Sequence, residues 1–340
     1  MVKTKIVCTI GPASESENTL KKMMRAGMDV ARLNFSHGSH PEHLKRVQLI
    51  RELNRKYRRK IKILQDLEGF RIRVGKLPEN GRLIAKNQLI TLANDPVKAL
   101  PHAIPVDYDG SMLHLKPGTE IYIDDGTIAL TVVKAGKYYV NARVRVPGTV
   151  KNHKGINIPG VDLDFKGITD KDWSDINFGI ANKVDYIAQS FVRDREDIEP
   201  IKIYIASRLP GCKLIAKIEN RDGINNINRI LKVVDGIMVA RGDMGISIPI
   251  YEVPVVQKEL ISKCNKAGKF VITATQMLES MTENAIPTRA EVTDVANAVF
   301  DGSDMVMLSG ETAVGRNPAA TVAMMNRILK YTESYIKRTI

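Results

Sequence analysis

Two segments decide the predicted fold of this chain, Lys213-Leu-Ile-Ala-Lys-Ile-Glu219 and Gly236-Ile-Met-Val-Ala-Arg-Gly-Asp243. Each contains a short apolar run, typical of a strand that is buried on both faces, and each run leads directly into charged residues. Parallel α/β folds bind their ligands at the carboxyl ends of the strands. The sequence therefore predicts a site at these two strand ends, with Lys217, Glu219 and Asp243 among its residues.

The pattern of these two segments recurs along the whole chain. Further buried strands are predicted at Lys5–Ile10, Asp29–Phe35, Ile61–Leu67, Tyr186–Phe191, Phe270–Thr275 and Met305–Ser309. Helical periodicity lies between them at Ser16–Ala26, Pro41–Tyr57, Asp170–Ile180, Arg195–Ser207, Val253–Ala267, Arg289–Phe300 and Pro318–Ile336. Strands that alternate with helical crossovers in this way predict an α/β protein, a (β/α)8 barrel.

The crossover after the third strand has a different pattern. Short alternating segments with turn signals replace a helix there, at Gln88–Leu92, Glu120–Ile123, Asp125-Gly126, Ile128–Val133 and Lys137–Val146. They predict a small all-β domain that is inserted into the barrel and acts as a lid. The predicted domains are therefore residues 1–73 with 154–340 for the barrel, and residues 74–153 for the insertion.

Composition limits the classes of function. The formal charge of +13 is spread along the 340 residues, with one dense run from Arg51 to Lys62. Without an aromatic platform or a reading motif, this charge favours attraction of small anions over nucleic-acid binding. No apolar run is long enough to span a bilayer. The start of the chain leads directly into a strand, and the cysteines have no Cys-x-x-Cys spacing, so we expect a cytoplasmic protein.

Polar residues interrupt the apolar runs at the strand ends: Arg32, Asn34, Asp66, Lys217, Glu219, Arg241, Asp243, Thr275, Ser309 and Glu311. Salt bridges at the rim of a barrel explain one or two such residues, but a site explains the whole set better. Glu219 and Asp243 are predicted ligands of Mg²⁺ or Mn²⁺, with an ion pair to Lys217 or Arg241 as the structural alternative. A lysine beside such a metal suits phosphoryl transfer.

Several longer motifs carry a family resemblance. They are Thr4–Ser14, Ala31–Gly38, Lys217-Ile-Glu-Asn220, Ala240-Arg-Gly-Asp243, Ala274–Met281, Pro287–Glu291, Asp294–Ala298 and Met307–Ala313. These motifs follow one another in the order that is typical of the pyruvate kinase family. The chain resembles this family from Lys3 to about Thr332. The resemblance implies transfer of a phosphoryl group from phosphoenolpyruvate to ADP, which gives pyruvate and ATP in glycolysis.

The resemblance also implies roles for matching residues. Arg32 and Arg73 would hold the transferring phosphoryl group, and Lys217 would stabilise its charge. The substrate-binding residues would be Arg32, Asn34, Gly242, Asp243 and Thr275, and the nucleotide-binding residues Asn34, Arg73 and Lys154. Thr275 would orient the group that protonates the enolate, with support from Ser309 and Glu311. The divalent metal would bind Glu219 and Asp243. A monovalent cation would bind near Asn34, Ser36, Asp66 and Leu67.

The chain departs from the family pattern in two respects. Asp66-Leu-Glu-Gly-Phe-Arg-Ile-Arg73 stands where the family usually has Asp-Thr-Lys-Gly-Pro-Glu-Ile-Arg. Arg71 thus replaces a glutamate and is expected to substitute for K⁺, although Glu68 could neutralise it. The family's usual carboxy-terminal domain has no counterpart here. We therefore expect a homodimer through the Pro287–Glu291 segment rather than a tetramer.

Two alternative functions stay open at this stage. One is a regulatory module that binds phosphoenolpyruvate or a nucleotide but has lost efficient transfer, for which Glu68 is a reason. The other is a lyase or aldolase of the metal-dependent barrels that form a pyruvate enolate. The inserted lid domain and Lys217 argue against the lyase.

Overall fold

The computed structural model describes residues 3–94, 102–161 and 167–339, which belong to two compact units. The first, called the barrel unit here, comprises residues 1–69, 168–241 and 253–340. The second, called the inserted unit, comprises residues 70–167 and 242–252.

The described residues form the following strands: β1 Lys5–Thr9, β2 Val30–Asn34, β3 Lys62–Asp66, β4 Arg73–Val74, β5 Arg82–Ile84, β6 Leu89–Asn94, β7 Ile104–Asp107, β8 Glu120–Ile123, β9 Ile128–Ala135, β10 Tyr139–Val146, β11 Gly148–Val150, β12 Ile156–Asn157, β13 Tyr186–Gln189, β14 Lys213–Ile218, β15 Gly236–Ala240, β16 Phe270–Ala274 and β17 Met305–Leu308. The α-helices are α1 Glu17–Ala26, α2 His40–Lys56, α3 Asp170–Ala181, α4 Glu199–Arg208, α5 Arg221–Asn225, α6 Ile227–Ile230, α7 Arg241–Ser247, α8 Val253–Lys266, α9 Arg289–Phe300, α10 Gly310–Ala313 and α11 Pro318–Thr339.

Eight parallel strands close the barrel in the order β1-β17-β16-β15-β14-β13-β3-β2. The predicted (β/α)8 barrel is thereby confirmed. One predicted helix, Arg195–Ser207, is different: a 3₁₀ turn occupies Arg195–Asp197, and α4 begins only at Glu199. Pro200 explains this start, because a proline fits the first turn of a helix, where its missing N–H is not needed. Among the helices of the described ranges, none has the length and apolarity that a membrane span needs.

The interior of the barrel changes from apolar to charged along the strands. The buried cluster at its centre includes Val7, Val30, Leu64 and Ile215. Strand residues two positions apart point to the same face. The next inward positions towards the carboxyl ends are therefore those of Thr9, Arg32, Asp66 and Lys217, all of which are buried. The alternation of side chains along the strands thus places a layer of polar groups inside the barrel, next to the apolar layer and nearer the carboxyl ends of the strands.

An aspartate directly precedes each of four strands at the amino end of the barrel. Its carboxylate accepts the backbone N–H of the second residue of a neighbouring strand. The pairs are Asp29 with Ile6, Asp185 with Ile63, Asp235 with Leu214, and Asp304 with Val271, at 2.8–2.9 Å. We call these four residues the aspartate ring. They join adjacent strands where the ladder of the sheet begins.

The inserted unit has its own sheet and core. Seven of its strands form a sheet in the order β12-β8-β9-β10-β6-β7-β4, and β11 pairs with β5. The predicted strands correspond to β6, β8, β9 and β10, whereas β4, β5, β7, β11 and β12 were not predicted. Four of these have only two or three residues, too few for a period of two to be recognised, and Pro105 argues against a strand in β7. The predicted turn is present, because Asp124, Asp125 and Gly126 all have positive φ between β8 and β9.

Candidate active site

Arg32 and Asp66 form a buried ion pair at the carboxyl ends of β2 and β3. Arg32 Nε donates to Asp66 Oδ2 over 2.6 Å, and Arg32 Nη1 donates to Thr9 Oγ1 over 2.9 Å. Asp66 is fully buried and Arg32 is 8% exposed. The strand backbones and Thr9 therefore hold the guanidinium in one place.

Lys217 has three partners inside the barrel unit. Its Nζ donates to Ser190 Oγ over 2.6 Å. The same atom lies 3.1 Å from Glu219 Oε1 and 3.3 Å from Asp66 Oδ1. Asp66 thus contacts both cations, and the chain Arg32–Asp66–Lys217–Glu219 is a continuous buried charge network. We call it the charge network.

The protonation state of Asp66 follows from this network. Burial by itself favours the neutral carboxyl, but Lys217 and then Arg32 outweigh it and lower the pKa of Asp66 below its ordinary value of 3.8. Asp66 is therefore ionised at neutral pH and compensates part of the charge of the two cations.

Glu219 lies directly after β14, as the sequence predicts. Its Oε2 accepts the Phe191 backbone N–H over 2.6 Å, and its Oε1 faces Lys217. No cluster of three or more His, Cys, Asp or Glu residues suited to a metal is present within the described ranges. Mg²⁺ does not need such a cluster, because it commonly takes one or two carboxylates and fills its other positions with water and substrate oxygens. A buried, ionisable carboxylate with hard oxygens fits this kind of binding.

Thr275 follows β16 in a strained conformation. Its φ is 70° and that of Gln276 is 56°, both in the left-handed region that non-glycine residues rarely adopt. Arg241 stabilises this turn, because its guanidinium donates to the carbonyl oxygens of Ala274 over 3.2 Å and of Thr275 over 2.6 Å. Asp294 anchors the guanidinium through a 2.7 Å ion pair. Asp294 was not among the ion-pair partners predicted for Arg241, whereas the alternative ion pair of Glu219 with Lys217 is present.

Ser309 and Glu311 lie together after β17. The Glu311 carboxylate is fully buried and accepts the backbone N–H groups of Ser309 over 2.6 Å and of Leu278 over 3.1 Å. Glu311 therefore connects the loop after β17 to the loop after β16. Ser309 Oγ is buried without a hydrogen-bond partner among the described residues, and is thus available to a bound molecule.

Three of the residues predicted to surround a monovalent cation, Asn34, Asp66 and Leu67, already accept hydrogen bonds or face cations of the protein. Asn34 Oδ1 accepts the Ser36 N–H over 3.1 Å, and the Leu67 carbonyl accepts the Ser190 hydroxyl over 2.7 Å. Both oxygens of Asp66 face cationic side chains. Glu68 is one of the residues that depart from the family pattern. Its carboxylate lies 3.4 Å from the ammonium of Lys171 in the barrel unit.

The inserted unit carries the other predicted residues. Arg71 Nη2 donates to Asp125 over 2.7 Å and lies 3.5 Å from Asp243 Oδ1. Arg73 Nη1 donates to the His153 carbonyl over 2.9 Å, and Lys154 pairs with Asp124 over 2.8 Å. Gly242 and Asp243 lie in the first turn of α7, as predicted.

Sequence reasoning missed Thr9 and Ser190. Both are 5% exposed, and each accepts a hydrogen bond from a cation of the charge network. The period of a strand could have found them, because Thr9 is two residues after the inward Val7 and Ser190 two residues after the inward Ala188. Serine and threonine are common in strands. Neither indicates a site unless it is known which side chains of the strand point into the barrel.

A closed barrel with charged groups at the carboxyl ends of its strands has the architecture of the barrel enzymes. A family model described as the pyruvate kinase barrel domain matches residues 1–322. The chain is 51% identical over 338 residues to the pyruvate kinase of Bacillus licheniformis, with 98% of this chain and 57% of the relative covered. It is 48% identical over 336 residues to the enzyme of Staphylococcus epidermidis and 47% identical over 336 residues to that of Staphylococcus aureus, with the same shares covered.

The chain therefore belongs to the pyruvate kinase family. It spans 57% of the length of these curated relatives.

Proposed function

We propose that the protein transfers a phosphoryl group from phosphoenolpyruvate to ADP and so acts as a pyruvate kinase. The charge network is the observation that carries the proposal. It presents two buried cations, Arg32 and Lys217, at neighbouring positions in the barrel interior. Phosphoryl transfer needs such fixed positive charge more than it needs covalent chemistry. Relatives that are 48% and 51% identical to the chain are named pyruvate kinases.

The two cations have different parts in this proposal. Arg32 has a rigid guanidinium fork and holds the phosphoryl group of the substrate. Lys217 is a compact charge and stabilises the oxygens between which the group passes. Asp66 keeps both side chains in place and limits the repulsion between them.

The proposed divalent metal is Mg²⁺ or Mn²⁺, bound by Glu219 and Asp243. Once bound, it would neutralise charge on the substrate and the phosphates. The Phe191 N–H holds Glu219 Oε2 and so orients the carboxylate. From the inserted unit, the N–H groups of Gly242 and Asp243 would bind the substrate carboxylate. Asn34, Arg73 and Lys154 would bind the nucleotide.

Protonation of the enolate is assigned to the loops after β16 and β17. Thr275 is held in a strained turn by Arg241, and its hydroxyl is oriented by a 2.6 Å hydrogen bond that it donates to the Ala274 carbonyl. Ser309 Oγ has bonding capacity left for a water molecule or a substrate. Glu311 holds the backbone of Ser309 in place and supports this path indirectly.

K⁺ is not required in this proposal. Asp66 and Leu67, two of the expected ligands, already bind donors of the protein itself. A monovalent cation on Asp66 would compete with Arg32 and Lys217, which already contact both oxygens of this carboxylate. In the inserted unit, Arg71 adds a fixed positive charge, which its partners Asp125 and Asp243 orient.

Location and assembly complete the proposal. Burial raises the pKa of Cys212 and of Cys264 to about 12, and all three cysteines are free and buried, which suits a reducing cytoplasm. We expect a two-fold homodimer through the Pro287–Glu291 segment. Ile286, next to this segment, is 71% exposed and supplies apolar surface. Light scattering should give a dimer for the parent protein and a monomer for Ile286→Glu; a monomeric parent would contradict the contact.

A coupled assay tests the activity. Purified protein with phosphoenolpyruvate, ADP and Mg²⁺ should form pyruvate and ATP in equal amounts. Tight binding of phosphoenolpyruvate without pyruvate formation would favour the regulatory module instead. Pyruvate formation from a larger oxo-acid without ADP would favour a lyase.

A further inference from the structure

Two hydroxyl groups hold the two cations of the charge network in the same way. Ser190 Oγ accepts a hydrogen bond from Lys217 Nζ over 2.6 Å and donates to the Leu67 carbonyl over 2.7 Å. Thr9 Oγ1 accepts from Arg32 Nη1 over 2.9 Å and donates to the Leu308 carbonyl over 3.0 Å. In both cases the carbonyl belongs to the adjacent strand or to the residue directly after it.

This arrangement fixes the direction of each hydroxyl. A serine or threonine hydroxyl has one proton to donate and lone pairs to accept. Since the proton is committed to a carbonyl, the lone pairs must face the cation. Both residues are only 5% exposed, so bulk water does not compete for these bonds. Each hydroxyl therefore links its cation to the backbone of the barrel.

The consequence is largest for Lys217. Its ammonium is a point charge on a flexible stem, and it also faces the carboxylates of Asp66 and Glu219. Ser190 holds the ammonium without adding negative charge. Without Ser190, the attraction of these carboxylates would draw Nζ towards them and away from a transferring group.

We propose that Ser190 and Thr9 are positioning residues with separate effects on the reaction. Ser190 places Lys217 for the transfer step. Thr9 places Arg32 for binding of the phosphoryl group. This division rests on the proposed function. It requires that loss of the Ser190 hydroxyl lowers kcat, whereas loss of the Thr9 hydroxyl raises KM for phosphoenolpyruvate.

The experiment compares two reactions on the same protein sample: pyruvate formation, and exchange of pyruvate methyl protons with solvent in the presence of Mg²⁺ and ATP. Ser190→Ala should lower kcat for pyruvate formation by about 10- to 100-fold, the effect of a small misplacement of a reacting group. Its exchange rate should stay near the parent's, because exchange does not use Lys217. The ratio of the two rates does not depend on the fraction of folded protein.

Thr9→Val should raise KM for phosphoenolpyruvate about tenfold with a smaller change in kcat, since Arg32 binds ground state and transition state alike. Thr9→Ser keeps the hydroxyl and should restore KM. Ser303→Ala is the matched control, because Ser303 is also a serine with 5% exposure and one buried hydroxyl bond, to Thr273, but lies at the opposite end of the barrel. It should leave the ratio unchanged.

The outcomes separate two failures. A parent protein that forms no pyruvate would overturn the proposed function together with both positioning roles. An active parent whose Ser190→Ala variant keeps its kcat, or loses transfer and exchange equally, would overturn the role of Ser190 alone. Ser190→Cys, with a similar volume but a weak acceptor, should repeat the result for alanine; full activity of this variant would also contradict the proposal.

Discussion

The two ends of the barrel both collect acidic side chains, but they use them differently. At the amino end, the aspartate ring binds backbone N–H groups, and the exposed Lys62 and the half-buried Lys202 pair with two of its members. At the carboxyl end, Asp66 and Glu219 face cations that are themselves buried. The carboxylates at the amino end stabilise the fold. The charged groups at the carboxyl end are not needed for the fold alone.

The pKa values of two aspartates express this difference. Burial raises the pKa of Asp29 in the ring, although the Ile6 N–H and Lys5 oppose the shift. Asp66 is buried more deeply, yet Lys217 and Arg32 overcome its burial and lower its pKa. Shifts of pKa that arise from burial together with specific charged partners are common at functional sites.

The largest effect is expected for Asp66→Asn, which removes the common partner of both cations. Breaking a buried ion pair on one side commonly costs about 3–5 kcal/mol of stability. The pH dependence should change with it. Folded Asp66 has the lower pKa, so its contribution is present above the unfolded pKa and is lost as the pH falls through the folded pKa. The free energy of unfolding of the parent protein should therefore rise with pH in the acid range. This rise should be absent from Asp66→Asn.

Trp173 makes the measurement possible, since it is the only tryptophan and lies in α3 of the barrel unit. Its fluorescence in urea reports unfolding of that unit. Asp29→Asn is the matched control at the other end. The raised pKa of Asp29 gives the opposite sign, because the folded state binds the proton more tightly and its stability falls as the pH rises through that range. Equal pH dependence of the two variants would contradict the contrast.

Lys217→Met should abolish most phosphoryl transfer. Loss of a preorganised charge commonly costs ~10²–10³ in rate. Exchange of pyruvate methyl protons should survive, because the proposed metal ligands and Thr275 remain. Parallel assays of both reactions test this. Loss of both to the same degree in a folded variant would mean that Lys217 is not specific to transfer.

Asp304→Ala tests the role of the aspartate ring at the amino end of the barrel. It leaves the Val271 N–H without its acceptor, and an unsatisfied buried donor costs about 1–3 kcal/mol. The kcat of the folded protein should not change, because the residue lies at the opposite end from the charge network. Urea titration and steady-state kinetics on the same preparation measure both quantities. Asp304→Asn keeps an acceptor oxygen and should lose less stability. A large loss of kcat in either variant would contradict a purely structural ring.

The smallest effect is expected for K⁺. If the cations of the protein already compensate the carboxyl end, K⁺ should raise turnover less than about tenfold, or 1.4 kcal/mol of barrier. The measurement compares tetramethylammonium buffer with K⁺ at matched ionic strength. Arg71→Glu should make the protein respond to K⁺. A larger activation of the parent would show that its own cations do not replace K⁺.

Much of the barrel could be predicted because its signals are local. Each strand is a continuous apolar run and each crossover has helical periodicity, so period and length were sufficient for the closed barrel. The start of α4 and the short strands of the inserted unit were not predicted. A few residues around Pro200, or a strand such as Arg73-Val74, carry too little pattern for this.

The sequence by itself determined the fold class, the family and the position of Lys217, Glu219 and Thr275 at strand ends, because these features depend on the order of residues along the chain. Only the tertiary structure decided which charges meet. Asp66 and Lys217 are far apart in sequence, as are Thr9 and Leu308, and the arrangement of the strands around the barrel brings each pair into contact. Parallel strands join residues from distant parts of a chain, so the partner of a buried charge depends on strand order and register, which local patterns do not record.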